Sequence, residues 1–104
     1  MQIQFNTGKN VMVSEGLIAS SRSLLSTELS RYSHQITDVE VHLSYEDGNN
    51  DGFNDKHCMM EARLTGMNPI AVTSQANSHE QAFFGAIHKM KTFLEKITAR
   101  SEEY

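Results

Sequence analysis

The chain has 104 residues, 13 of them acidic and nine basic, for a formal net charge of −4 with histidine neutral. Its single cysteine excludes an internal disulfide framework, and no apolar run approaches the ~20 residues of a membrane-spanning helix. The length suits one domain with one modest core, expected over residues 1–100 with an acidic tail at 101–104. The acidity is local. Residues 46–55 carry Glu46, Asp47, Asp51 and Asp55 without a base, and the tail adds Glu102 and Glu103. The net charge argues against simple nucleic-acid binding, but the remaining chain holds nine bases against seven acids, near +2, so the distribution matters more than the sum. The N-terminus alternates polar and apolar residues and lacks a basic segment followed by an apolar run. It does not read as a signal peptide, and a cytoplasmic protein is expected.

Ile3 and Phe5 alternate with Gln2, Gln4 and Asn6, the pattern of a strand with one buried face. Gly8 and Asn10 suit a turn, and Ser14 is a natural N-cap with Glu15 placed where the helix dipole favours a carboxylate. From Ser14 to about Tyr32, the residues Ile18, Leu25, Leu29 and Tyr32 share one helical stripe. In the next strand, over 36–45, Val39, Val41, Leu43 and Tyr45 face one way and Asp38, Glu40, His42 and Ser44 the other. After the acidic loop the alternation returns over 56–65, with Cys58, Met60, Ala62 and Leu64 inward and His57, Met59, Glu61 and Arg63 outward. Residues 66–69 form a turn, and 70–76 a fourth strand with Ile70 and Val72 inward. Ser78 caps a second helix, with Gln81 placed for a capping box. Its apolar stripe is Phe83, Ile87, Met90, Leu94 and Ile97. The order β-α-β-β-β-α predicts an α+β two-layer sandwich: a four-stranded sheet with two helices packed on one face. Short connections favour antiparallel pairing among the last three strands, and the first joins beside one of them.

The segment Gly8-Lys9-Asn10-Val11-Met12-Val13-Ser14-Glu15-Gly16-Leu17 resembles the opening of the ribosome hibernation promoting factors, also called ribosome-associated inhibitors or sigma-54 modulation proteins. The likeness continues through Tyr32-Ser33-His34, the strands over 39–45 and 70–76, and the run from His88 to Lys96. It covers nearly the whole chain, and the joint order of the motifs carries it. It is to the short form of the family, without a dimerisation extension. The resemblance implies binding to the small ribosomal subunit and its rRNA through basic residues on the helices, with inhibition of translation under stress. Lys89 and Lys96 stand at matching positions, with Thr92 where the family has arginine. Ile18, Leu24 and Thr27 occupy places that are basic in the family, and Glu80 the place of an aromatic.

Lys89, Lys96 and Arg100 are spaced by seven and four along the second helix, so they share a flank. With Arg22, Arg31 and His34 they form the candidate RNA-binding set, because Lys and Arg supply phosphate contacts. The same residues also read as a solvated helix edge, with late basic residues favoured by the macrodipole. Lys91 and Glu95 read as a surface pair four residues apart. Asp47, Asn49, Asp51 and Asp55 match the start of a calcium loop, but Cys58 stands where the closing glutamate belongs. A plain strand connection explains that loop better. His42 and His57, on outward positions of consecutive strands, are candidates for cross-strand neighbours without enough further ligands for a metal. Cys58 reads as a core residue, and Ser20, Ser21, Ser23 and Ser26 lack a partnering His and Asp. No enzyme, metal, cofactor or small-molecule substrate is expected. A double-stranded RNA-binding domain would want a lysine cluster opening the second helix, and 78–81 supplies none. The alternative to a ribosome factor is a protein-binding or homodimerising module of the same fold, using Ile18, Leu24, Phe84 and Phe93 as an apolar patch.

Overall fold

A computed structural model describes residues 1–9, 11–45 and 55–101, with side chains through Thr98. The elements are β1 (Gln2–Thr7), α1 (Glu15–Glu28), a 3₁₀ turn (Ser30–Tyr32), β2 (Ile36–Tyr45), β3 (Lys56–Leu64), β4 (Ile70–Ala76) and α2 (His79–Ser101). They form a four-stranded sheet in the order β1-β2-β3-β4. β1 runs parallel to β2, whereas β2–β3 and β3–β4 are antiparallel. The parallel step follows from α1, because a strand can return alongside its predecessor in the same direction only through a crossover. The α+β two-layer arrangement is the one the element order predicts.

Both helix starts are fixed by serine. Ser14 Oγ accepts from the Leu17 N–H at 3.0 Å, and Ser78 Oγ accepts from the Gln81 N–H at 3.1 Å, each satisfying an orphan donor of a first turn. α1 ends at Glu28, short of the predicted Tyr32, and the chain tightens into the 3₁₀ turn, which still buries Tyr32. Both helices begin at the Leu43–Tyr45 end of the sheet: the Gly8 N–H donates to Leu43 O at 2.9 Å, and His79 Nε2 lies 3.0 Å from Ser44 O. They then run side by side, and the Glu28–Lys91 ion pair at 2.9 Å ties them together three turns on.

The core lies between the layers. Leu25 and Leu29 of α1 and Met90 and Leu94 of α2 are buried against Val39, Val41, Cys58, Met60 and Ala62 of the two central strands. Burying such aliphatic side chains contributes roughly 1.5–3 kcal/mol each before chain entropy is subtracted. Two departures from simple alternation have local causes. Ile36 and Val39 are both buried although three residues apart, because the β2–β3 register shifts between Ile36 and Asp38. Thr37 is the extra residue of this bulge, and its hydroxyl donates to Arg63 O at 3.1 Å. Tyr45, predicted inward, is 38% exposed. It stands at the end of β2, its ring edge-on to His79 at 5.2 Å and beneath the Lys56 ammonium at 5.4 Å. Val72 is only half-buried, as its place on an edge strand allows.

α2 approaches β4 closely at Gly85. A Cβ there would stand 2.3 Å from Ser74 Oγ and 3.3 Å from Ser74 Cβ, so the helix–strand distance depends on the missing methyl group. In the predicted 66–69 turn, Gly66 has φ 75°, a conformation open to glycine at no steric cost.

Candidate nucleic-acid interface

The two faces of the sandwich carry opposite charge. Among the described residues, Asp38, Glu40 and Glu61 stand on the open face of the sheet with one permanent cation, Arg63. The Arg63 guanidinium lies 3.6 Å from Glu61 and 3.8 Å from Asp38, and His42 Nε2 lies 3.3 Å from Glu40. Glu40 and Glu61 are directly opposed across β2 and β3. The helix layer instead holds Arg22, Arg31, Lys89, Lys91, Lys96 and Arg100 against Glu15, Glu28, Glu80 and Glu95. Among the described residues the sheet face is thus net negative and the helix layer net positive.

The six residues of the candidate set do not form one patch. Lys89 and Lys96 share the flank of α2 beside β4, and the spacing places Arg100 with them; its side chain lies outside those described. Lys89 is already engaged: its Nζ donates to Thr73 O of β4 at 2.6 Å. β4 is an edge strand, and this ammonium covers a backbone acceptor that would otherwise be open to another strand. Lys96 is exposed. On α1, Arg22 lies over the Phe5 ring at 5.7 Å, and past its end Arg31 lies over Tyr32 at 5.9 Å. Both arginines and His34 are exposed. Each arginine thus makes a cation–π contact with an aromatic ring of its own layer.

Lys91 is drawn to Glu28 of α1 rather than first to Glu95, the partner predicted from sequence spacing. The Glu28 carboxylate raises the Lys91 pKa above the usual lysine value, with Glu95 a lesser contributor. A contact across 63 residues has no signal in i,i+4 spacing. The predicted apolar patch also divides. Ile18 lines a small hollow with Phe5, Leu43 and Phe83, Leu24 and Phe84 line another between the helices, and Phe93 stands on the opposite flank of α2. Phe84 and Phe93 are each 47% exposed.

His42 and His57 are not directly opposed. His42 faces Met59, and His57 faces Ser44. Among the described residues no group of three or more His, Cys, Asp or Glu could hold a metal ion. Asp47, Asn49 and Asp51 of the calcium-like loop lie outside the described residues. Asp55 forms an ion pair with Lys56 at 2.8 Å, and that hydrogen bond holds its carboxyl below the ordinary aspartate value. Cys58 is fully buried, and burial pushes its thiol pKa up to about 12, the opposite of an activated nucleophile.

A β-α-β-β-β-α chain with a four-stranded mixed sheet and two helices belongs to the class of small two-layer α+β domains. The family model described as sigma 54 modulation protein / S30EA ribosomal protein matches residues 5–102, and the chain belongs to that family. Among solved structures, a ribosomal subunit interface protein from Coxiella burnetii is similar with TM-score 0.70 at 24% identity, over 95% of this chain and 99% of that one. The N-terminal domain of Protein Y from Thermus thermophilus is similar with TM-score 0.71 at 16% identity, over 93% and 99%. At these identities the likeness shows the shared fold. No curated protein sequence matches the chain. No helix among the described residues is long and apolar enough to cross a membrane.

Proposed function

We propose that this protein is a cytoplasmic ribosome-associated factor that docks its helix layer on rRNA of the small subunit and restrains translation under stress. The observation that carries this reading is the charge division of the sandwich within a family of ribosomal proteins. Docking in this orientation turns Glu40 and Glu61 away from the phosphates and brings Lys96, Arg22 and Arg31 toward them. The protein then acts by occupying a site, without catalysis. Lys96, Arg22 and Arg31 are the principal phosphate contacts, with Arg100 and His34 at the margins. Lys89 contributes its field while bonded to β4.

The test is co-sedimentation of the purified protein with separated small and large subunits, paired with a cell-free translation assay. Binding to the small subunit with a matching fall in translation supports the reading. Binding to the large subunit alone, or to neither, refutes it. A homodimer through Leu24 and Phe84 is the second reading, supported by the half-exposed Phe84 ring in the valley between the helices. Sedimentation equilibrium of wild type and Phe84→Asp decides it.

A further inference from the structure

Phe84 and Phe93 are equally exposed, yet their surroundings differ in a way that points to a ligand for only one of them. Lys91, which lines the same hollow as Phe84, is paired with Glu28. Phe93 sits between Lys89 four residues before it and Lys96 three residues after, all on the flank of α2 that faces β4. It forms one wall of an open cleft of about 670 Å³. The turn at 66–69, where Met67, Asn68 and Pro69 are exposed, lines it as well, together with Ile70 and Ile97. An aromatic face, a short-chain amide in the same cleft and cations on both sides are the elements by which proteins hold unpaired nucleotides.

We propose that this cleft takes one unpaired nucleobase of RNA, stacked on the Phe93 ring, with an adjoining phosphate held by Lys96. The assignment rests on the RNA-binding reading given above and names a contact within it. Stacking on Phe93 is indifferent to base identity because every base has a π-face, and Asn68, which lines the same cleft, offers an amide for a base edge. Lys89, anchored on Thr73 O, adds positive potential at the other side of the ring. A rigid duplex cannot present a single base to such a slot, so single-stranded or looped RNA is the ligand class. An apolar protein side chain would also fit against Phe93, but it would gain nothing from the flanking ammonium groups.

The experiment has two arms. In the first, binding of fluorescein-labelled single-stranded hexa-adenylate and of a blunt RNA duplex of equal length is measured by anisotropy for wild type, Phe93→Leu, Phe93→Tyr and Lys96→Ala. In the second, the same proteins are sedimented with ribosomes, and the wild-type complex is irradiated with ultraviolet light and mapped by mass spectrometry. Wild type is expected to prefer the single strand. Phe93→Leu, which keeps an apolar side chain but removes the ring, should lose affinity by roughly tenfold or more, and Phe93→Tyr should retain it. A nucleotide adduct is expected on the peptide that contains Phe93. Equal melting curves by circular dichroism confirm that the variants fold.

Unchanged single-strand affinity in Phe93→Leu overturns the proposal, even where ribosome binding persists. Loss of ribosome binding in Phe93→Leu with unaltered oligonucleotide affinity and no adduct assigns the cleft to a protein side chain, and equally overturns it. Failure of wild type to bind ribosomes refutes the proposed function. The oligonucleotide arm then still decides whether the cleft holds a base.

Discussion

Replacing Gly85 by alanine sets two effects of known sign against each other. Within a helix, Gly→Ala ordinarily stabilises by about 1 kcal/mol, because alanine loses less backbone entropy on folding. Here the new methyl would stand 2.3 Å from Ser74 Oγ and 3.3 Å from Ser74 Cβ, and Ser74 is buried. Overpacking of this kind costs roughly 1–3 kcal/mol, enough to cancel the helix gain and exceed it. Gly85→Ala should therefore lower stability by about 1 kcal/mol. Ser74→Ala removes the closer contact and leaves only the 3.3 Å approach, which a shift of a few tenths of an ångström relieves. In that background the same substitution should be neutral or stabilising, with a coupling of about 1–2 kcal/mol between the sites. Urea denaturation of the four proteins, followed by circular dichroism, measures the cycle. A Gly85→Ala variant more stable than wild type, or additive effects, would refute the packing argument for this helix–strand contact.

Lys89→Met keeps the apolar stem and removes the ammonium from Thr73 O, so it should cost about 1 kcal/mol in urea and raise the tendency to self-associate through β4. Lys96→Met should do neither; equal behaviour of the two variants in denaturation and sedimentation velocity would contradict the edge-covering role. Cys58, with its thiol held up to about 12 by burial, should fail to react with a disulfide reagent in the native protein at pH 8. It should react fully in denaturant, and rapid stoichiometric reaction of the folded protein would show the core assignment to be wrong.

Much of the fold was legible because each element has one buried face. The period of two in β3 and the 3.6 period of α2 placed Cys58, Met60, Ala62, Phe83, Met90 and Leu94 in the core, where they are found. Pairing between distant elements was less legible. Alternation could not say which strand β1 would join, nor show that Thr37 forms a bulge that turns Ile36 inward along with Val39. The same limit governs the candidate interface. Spacing by seven put Lys89 and Lys96 on one flank, but only the strand order shows that the flank borders an edge carbonyl that occupies Lys89. Local spacing points Lys91 to Glu95, whereas the parallel course of the helices brings Glu28 to it. Family membership was legible in the order of weak motifs, and the match over residues 5–102 bears it out.

The most direct test of docking through the helix layer is the salt dependence of ribosome binding, measured by co-sedimentation for wild type, Arg22→Ala/Lys96→Ala and the sheet-face variant Arg63→Ala. Each lost phosphate contact should reduce the slope of log affinity against log salt by roughly one. The helix-layer double variant should therefore bind more weakly with a slope shallower by about two, while Arg63→Ala follows wild type. An unchanged slope in the double variant, or a larger effect from Arg63→Ala, would place the ribosome on the other face of the sandwich.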